Sequence, residues 1–205
     1  MTLIEDIIKH IRHLPFGSVF TRQEIADQLG VEKGSVSNAL RRLVGSGEVL
    51  YISRGLWQRP KQTRFGVVFA SPESVVSALE RNRNVVIVPS GAVTLNEIGA
   101  STQLPMKARF MATRRIQPIK LGKTLIEFEC SKAFTHGMDA SSYLSPSERK
   151  RVARLWVALQ YAGERHVTRE KAAFCEAFAD LSRKEQQILL KVLRGKLSWA
   201  RSIFN

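Results

Sequence analysis

The sequence has 205 residues, and its 32 Lys and Arg against 18 Asp and Glu give a formal net charge of +14. Its apolar fraction of 44% is too high for a mostly disordered chain, and no apolar run approaches the ~20 residues that a membrane-spanning helix needs. Acidic residues near the N-terminus argue against a signal peptide, and two cysteines are too few for a disulfide framework, so we expect a cytoplasmic protein. The net charge predicts a polyanionic partner.

The first predicted domain, residues 1–64, begins with three helices. Apolar residues at helical spacing predict a first helix over residues 2–14. A capping box at Thr21–Glu24 opens a second helix, which ends at Gly30. A third helix is expected over residues 33–44, because its apolar residues recur every three or four positions. Two helices joined by a tight glycine turn indicate a helix-turn-helix.

The polar side of the third helix predicts a DNA-binding surface. No Asp or Glu occurs over residues 33–47. A β-hairpin with Arg54 at its turn follows, as in the wing of a winged helix, and Trp57 is expected to hold that hairpin on the core. The small polar side chains of such a helix contact the edges of the DNA bases, and its Lys and Arg side chains contact phosphates. The predicted DNA-binding residues are Lys33, Ser35, Ser37, Asn38, Arg41, Arg42, Arg54 and Arg59. The competing explanation is a merely solvated helix face.

The second predicted domain, residues 65–135, is a small mixed α/β unit. A basic, turn-prone connector precedes it, and a Ser-Pro-Glu start predicts a helix near residues 72–81. A buried strand and a second helix follow, and then come three further strands. Together with the helical last segment, this pattern predicts the α+β fold class.

An ordered series of motifs resembles the AbiEi-type antitoxins of type IV toxin–antitoxin systems over about residues 1–132. The series consists of Arg54-Gly55-Leu56-Trp57, the connector 60–66, Val88-Pro89-Ser90-Gly91-Ala92, Ser101-Thr102-Gln103-Leu104-Pro105 and Thr113-Arg114-Arg115-Ile116. The resemblance implies a winged-helix domain that represses its own operon by binding inverted repeats in double-stranded DNA. It also implies a following domain that counteracts a toxin of nucleotidyltransferase type.

The third predicted segment, residues 136–205, is helical. A Ser145-Pro146 start opens a helix that runs to about residue 162, a second begins near Thr168, and a capping box at 182–185 opens a third. A last short amphipathic helix is expected over residues 197–204. Helices of this kind either cover the middle domain or offer an apolar groove to a partner.

No sequence motif indicates catalysis or a cofactor. The chain has no phosphate-binding loop of the G-x-x-x-x-G-K-[ST] type, no CxxC pair and no HExxH. Glu127 and Glu129 share one face of a strand, where they could hold Mg²⁺, but no further acid lies nearby in sequence. We therefore expect a non-enzymatic protein without metal or cofactor, an antitoxin and autorepressor. The alternatives are a winged-helix regulator with a ligand-binding middle domain and an enzyme that acts on nucleic acid or nucleotides.

Overall fold

The computed structural model describes residues 2–103 and 107–204, so Leu104 and Pro105 of the fourth resemblance motif lie outside the described residues. Within these described residues, ten α-helices and several small sheets agree with the α+β class expected from the sequence. Contacts divide the chain into two compact units, whereas the sequence suggested three segments with boundaries at 64 and 135. The first unit is the chain up to Asn84 together with Ile119–Leu125, and the second is Val85–Pro118 together with the chain from Ile126.

Four helices of the first unit follow the capping and periodicity signals of the sequence. They are α1 (Leu3–His13), α2 (Arg22–Leu29), α3 (Lys33–Gly45) and α4 (Pro72–Arg83). The capping box at the start of α2 is present, since Thr21 accepts from the Glu24 N–H at 3.0 Å and its own N–H donates to the Glu24 carboxylate at 2.7 Å. Ile7, Ile25 and Leu40 are buried in the core that α1, α2 and α3 share.

Strands of the first unit form two small sheets. β1 (Val19–Phe20), β2 (Leu50–Ser53) and β3 (Leu56–Gln58) pair antiparallel in the order β1-β3-β2. The segment expected to be a connector is instead a second hairpin of β4 (Lys61–Thr63) and β5 (Gly66–Val68). The buried Gln58 side chain donates to the Val68 carbonyl at 3.0 Å and so joins the two hairpins, a contact that the sequence pattern does not reveal. β8 (Ile119–Leu121) packs against β2.

Pairing among β6 (Ile87–Pro89), β7 (Ala108–Ala112) and β9 (Thr124–Glu129) begins the second unit. β6 pairs antiparallel with β7, and β7 pairs parallel with the part of β9 that starts at Ile126. Helix α5 (Ala92–Glu97) lies between β6 and β7 in the chain.

The remaining helices of the second unit share one core with these strands. They are α6 (Lys132–Asp139), α7 (Pro146–Arg169), α8 (Lys171–Ala179), α9 (Arg183–Val192), the 3-10 helix η1 (Gly195–Ala200) and α10 (Arg201–Phe204). Gly163 interrupts α7 with φ 71°, close to the end predicted at residue 162. Val88, Met111 and Trp156 belong to the same buried cluster, so the C-terminal helices cover the α/β part. Among the described helices, none is long and apolar enough to cross a membrane.

Candidate nucleic-acid interface

Helix α3 separates an apolar side from a basic side. Its buried residues, which include Val36 and Leu40, recur at helical spacing and pack into the core of the first unit. A helix turns about 100° per residue, so Gly34, Asn38 and Arg41 face away from that core. Gly34, Asn38 and Arg41 are all exposed. The outward side of α3 therefore carries small side chains near its start and basic side chains further along.

The basic side chains of α3 that were predicted to bind DNA are available for an external partner. Lys33, Arg41 and Arg42 are exposed, and none of them has a carboxylate partner in the part of the chain that the structure describes. Ser35 and Ser37 are only half-buried. The Ser37 hydroxyl donates to the Lys33 carbonyl at 2.9 Å and accepts from the Arg22 guanidinium at 3.1 Å. Ser37 therefore positions the Arg22 side chain of α2.

The β2–β3 hairpin presents Arg54 at its tip. Arg54 is exposed in the two-residue turn, where Gly55 has φ 89°. The Arg83 guanidinium of α4 donates to the Arg54 carbonyl at 3.4 Å and so ties the tip to α4. Trp57 is half-buried, lies edge-on to Tyr51 at 6.1 Å between ring centroids and packs against the core, as the sequence suggested.

A groove of about 600 Å³ lies beside the start of α3, and we call it the basic groove. It is lined by Thr21, Arg22, Gln23, Lys33, Tyr51, Arg54, Gly55, Trp57, Asn82 and Arg83. Four of these residues are basic, each from a different element, and none of the described residues that line it is acidic. The groove therefore concentrates positive charge on one concave surface, where it favours a polyanion.

Arg22 and Arg83 of the basic groove were not among the predicted site residues. They come from α2 and from α4, and Arg83 is 29 positions beyond the hairpin tip that it contacts. Arg22 lies inside the capping box that opens α2, which does not indicate a ligand, and Arg83 lies in no motif. The groove that they line exists only once α4 has folded beside the hairpin. A basic residue in the last turn of a helix is also explained by the helix dipole alone.

Two acids of the first unit are neutralised by ion pairs. Glu48 accepts two hydrogen bonds from Arg12, at 2.7 and 2.8 Å, and the hydrogen bond from Arg12 lowers the pKa of Glu48. Glu24 is paired with Arg81 at 2.8 Å. These carboxylates therefore oppose an approaching anion less than isolated ones would.

Arg59 lies apart from the other predicted site residues. Its guanidinium stands over the Phe16 ring, 4.2 Å from the centroid, and donates to the Leu14 carbonyl. It lines a separate cavity of about 550 Å³ together with Arg12, Glu48 and other residues, and it does not line the basic groove. Arg59 thus holds the loop after α1 against the sheet, a tertiary contact that its charge alone did not indicate.

The second hairpin adds further positive charge. Residues 49–72 contain Arg54, Arg59, Lys61 and Arg64 and no acid. At the β4–β5 tip, Phe65 is 85% exposed, with the Arg64 guanidinium 4.6 Å from its ring centroid. This hairpin was expected to be a connector and was not part of the predicted site.

Of the two acids considered for Mg²⁺, Glu127 forms a surface ion pair with Arg109. Glu127 accepts from Arg109 at 2.9 Å, and this hydrogen bond raises the pKa of Arg109. Within residues 2–103 and 107–204, no group of three or more His, Cys, Asp or Glu side chains could hold a metal ion.

Comparison with known proteins gives a match to a protein family. The model of a family of unknown function, DUF6088, matches residues 6–141, about two thirds of the chain. No curated protein and no solved structure matches the chain.

Proposed function

The chain belongs to the DUF6088 family, whose function is unknown, and we propose that it is a DNA-binding transcriptional repressor. In this proposal α1, α2, α3 and the β2–β3 hairpin act as a winged helix-turn-helix on double-stranded DNA. The observation that carries the proposal is the basic groove beside an exposed, acid-free α3.

The dimensions and chemistry of α3 suit the major groove. An α-helix with its side chains is about 10–12 Å wide, and the major groove is about 12 Å wide. The Asn38 amide has the donor and acceptor that match adenine, while Arg41 and Arg42 fit guanine or phosphate. Small residues near the start of α3, such as Gly34, allow close approach of its backbone.

The basic groove suits the phosphate backbone next to the site that α3 reads. Arg22 and Lys33 lie near the starts of α2 and α3, and backbone N–H groups at helix starts also favour phosphate. Arg54 at the hairpin tip then contacts a neighbouring phosphate or the minor groove.

The test is a variant that carries both Arg41→Ala and Arg54→Ala. We expect it to lose binding to DNA from upstream of its own reading frame, measured by gel shift at 150 mM salt. For the unchanged protein, about five phosphate contacts give a slope of about −4.5 in log K against log salt. The double variant lacks two of them, so its slope is shallower by about 1.8.

The matched control is Arg165→Ala with Arg169→Ala, which removes two exposed charges from α7 in the second unit. It keeps DNA binding if the interface is local. Equal losses in both variants would mean that net charge alone drives binding. A flat salt response of the unchanged protein would contradict phosphate contacts altogether.

The resemblance to AbiEi-type antitoxins extends the proposal to an autorepressor that neutralises a nucleotidyltransferase-type toxin. The proposal implies a cytoplasmic protein without enzymatic activity of its own. The test is co-expression with a nucleotidyltransferase-like neighbour from the same operon, scored by growth. We expect the full chain to rescue growth and the Arg41→Ala, Arg54→Ala variant to rescue it equally, because the resemblance assigns antitoxicity to the part after the winged helix. No rescue by the full chain would reject the antitoxin role and leave the DNA proposal standing.

A further inference from the structure

A cavity of about 350 Å³ lies in the second unit, where α6 and the end of α9 meet α7. Helix α6 lines it with Ala133, Gly137 and neighbouring positions at helical spacing. A Cβ atom added at Gly137 would lie 3.5 Å from the Cβ of Val192, so the two helices are already in close contact there. The cavity therefore comes from small side chains at a tight helix contact, and its volume is in the lower range of small-molecule sites.

Trp156 of α7 lines this cavity and has an unpaired polar atom. Its side chain is 3% exposed and its ring lies beside Phe134, with 5.3 Å between centroids. The indole Nε1 is buried and has no hydrogen-bond partner among the described residues. A buried donor without an acceptor costs about 1–3 kcal/mol, and a tryptophan N–H can only donate.

Three basic residues complete the lining. Lys191 lies in the last turn of α9 and Arg194 directly precedes η1, and the Arg194 Nε donates to the Lys191 carbonyl at 3.0 Å, which holds the guanidinium at the cavity. His136 of α6 bonds the Lys132 carbonyl through Nδ1 at 2.9 Å and keeps Nε2 for other contacts. None of the described residues that line the cavity is acidic.

Trp156, Lys191 and Arg194 offer hydrogen-bond donors and no acceptors, which limits the chemistry of a ligand. A group that satisfies them must carry several acceptors and a negative charge. We propose that this cavity binds a small oxyanion, the carboxylate or phosphate group of a small molecule, with Trp156 as the buried donor and Lys191 and Arg194 as the charged ones. The site does not depend on DNA binding by the first unit.

The test is nuclear magnetic resonance of the ¹⁵N-labelled full chain, which has three tryptophans. Trp156→Phe identifies the Trp156 indole signal by its disappearance. Inorganic phosphate and benzoate are titrated separately at constant ionic strength against chloride. We expect a saturable shift of the Trp156 Nε1–H signal with at least one of them, while the Trp57 and Trp199 signals stay in place.

Two variants check that the binding occurs in this cavity. Lys191→Ala with Arg194→Ala is expected to weaken binding at least about tenfold, which corresponds to about 1.4 kcal/mol. The control Arg183→Ala with Lys184→Ala removes two charges from the other end of α9 and leaves the affinity unchanged. Unaltered Trp57 and Trp199 signals show that each variant is folded.

The outcomes separate the two ligand sources. A shift with phosphate alone assigns the site to phosphate groups, and a shift with benzoate alone assigns it to carboxylates. No saturable Trp156 shift with either probe overturns the proposal. An equal loss of affinity in both double variants also overturns it, because general charge and not the cavity would then hold the anion.

Discussion

Among single residues, Arg83 illustrates how a binding surface is assembled from side chains with unrelated positions in the sequence. Its guanidinium reaches the hairpin tip and lines the basic groove with Arg22 and Lys33. Arg59 is also a basic residue next to a hairpin, but its guanidinium is held by the Phe16 ring and the Leu14 carbonyl, away from the basic groove. Charge therefore indicates a candidate, and the neighbouring atoms decide whether the charge is free for a partner.

Arg83→Ala tests the contribution of the basic groove to the proposed DNA binding. We expect the slope of log K against log salt to become shallower by about 0.9, the effect of one phosphate contact. Arg83→Lys keeps the charge and is expected to keep the slope. Lys9→Ala removes an exposed charge from α1 and serves as the control. A shallower slope for Arg83→Lys as well would show that Arg83 only supports the hairpin.

At the scale of elements, the α2–α3 region contains two glycines with different backbone conformations, one left-handed and one helical. Gly30 ends α2 in the left-handed region, with φ 63°, and its N–H donates to the Ala26 carbonyl. Gly34 lies in the first turn of α3. A Cβ atom at either position would meet nothing within 4 Å, so only the backbone conformation distinguishes them.

The same substitution at these two positions is expected to have opposite effects on stability. Gly34→Ala should raise the free energy of unfolding by about 0.5–1 kcal/mol, because alanine loses less backbone freedom in a helix. Gly30→Ala should lower it by about 1–2 kcal/mol, because a Cβ is unfavourable in the left-handed region. Urea denaturation followed by circular dichroism measures both as shifts of the midpoint. Shifts of the same sign would contradict the assigned conformations.

At the scale of the whole molecule, the first unit is discontinuous in sequence. Ile119–Leu125 belongs to it although more than thirty residues of the second unit intervene. Ile119 and Leu121 of β8 are both buried, and β8 packs against β2, the strand that leads to the hairpin tip. The proposed DNA-binding unit therefore depends on a strand from the middle of the chain.

Leu121→Ala should reduce the thermal stability of DNA binding more than an equally large change in the second unit does. Each large-to-small change at a buried leucine costs about 2–5 kcal/mol, so Leu189→Ala in α9 is the matched control. We expect Leu121→Ala to lose binding to the upstream DNA at a lower temperature than Leu189→Ala does. Identical temperature profiles of binding would show that the two units unfold together.

The sequence alone determined the elements whose causes are local. Capping boxes and apolar periodicity act within a few residues, so α2, α3 and the Arg54 hairpin were predicted close to their observed bounds, and Trp57 was correctly expected to support the hairpin. The α+β class follows from the same local patterns. The basic, acid-free side of α3 is likewise a local property of its sequence.

Only the tertiary structure decided what depends on contacts between distant segments. The hairpin at 61–68 was missed because the hydrogen bond that joins it to β3, from Gln58 to the Val68 carbonyl, forms only in the folded unit. Helix α6 was missed too, although Ser131 caps it and Phe134 and Met138 are buried at helical spacing, because it is only eight residues long. Contacts between residues far apart in the chain produce the basic groove, the position of Arg59 and the cavity that Trp156 lines. Local propensity does not encode these contacts, because their stability comes from a core that forms as a whole.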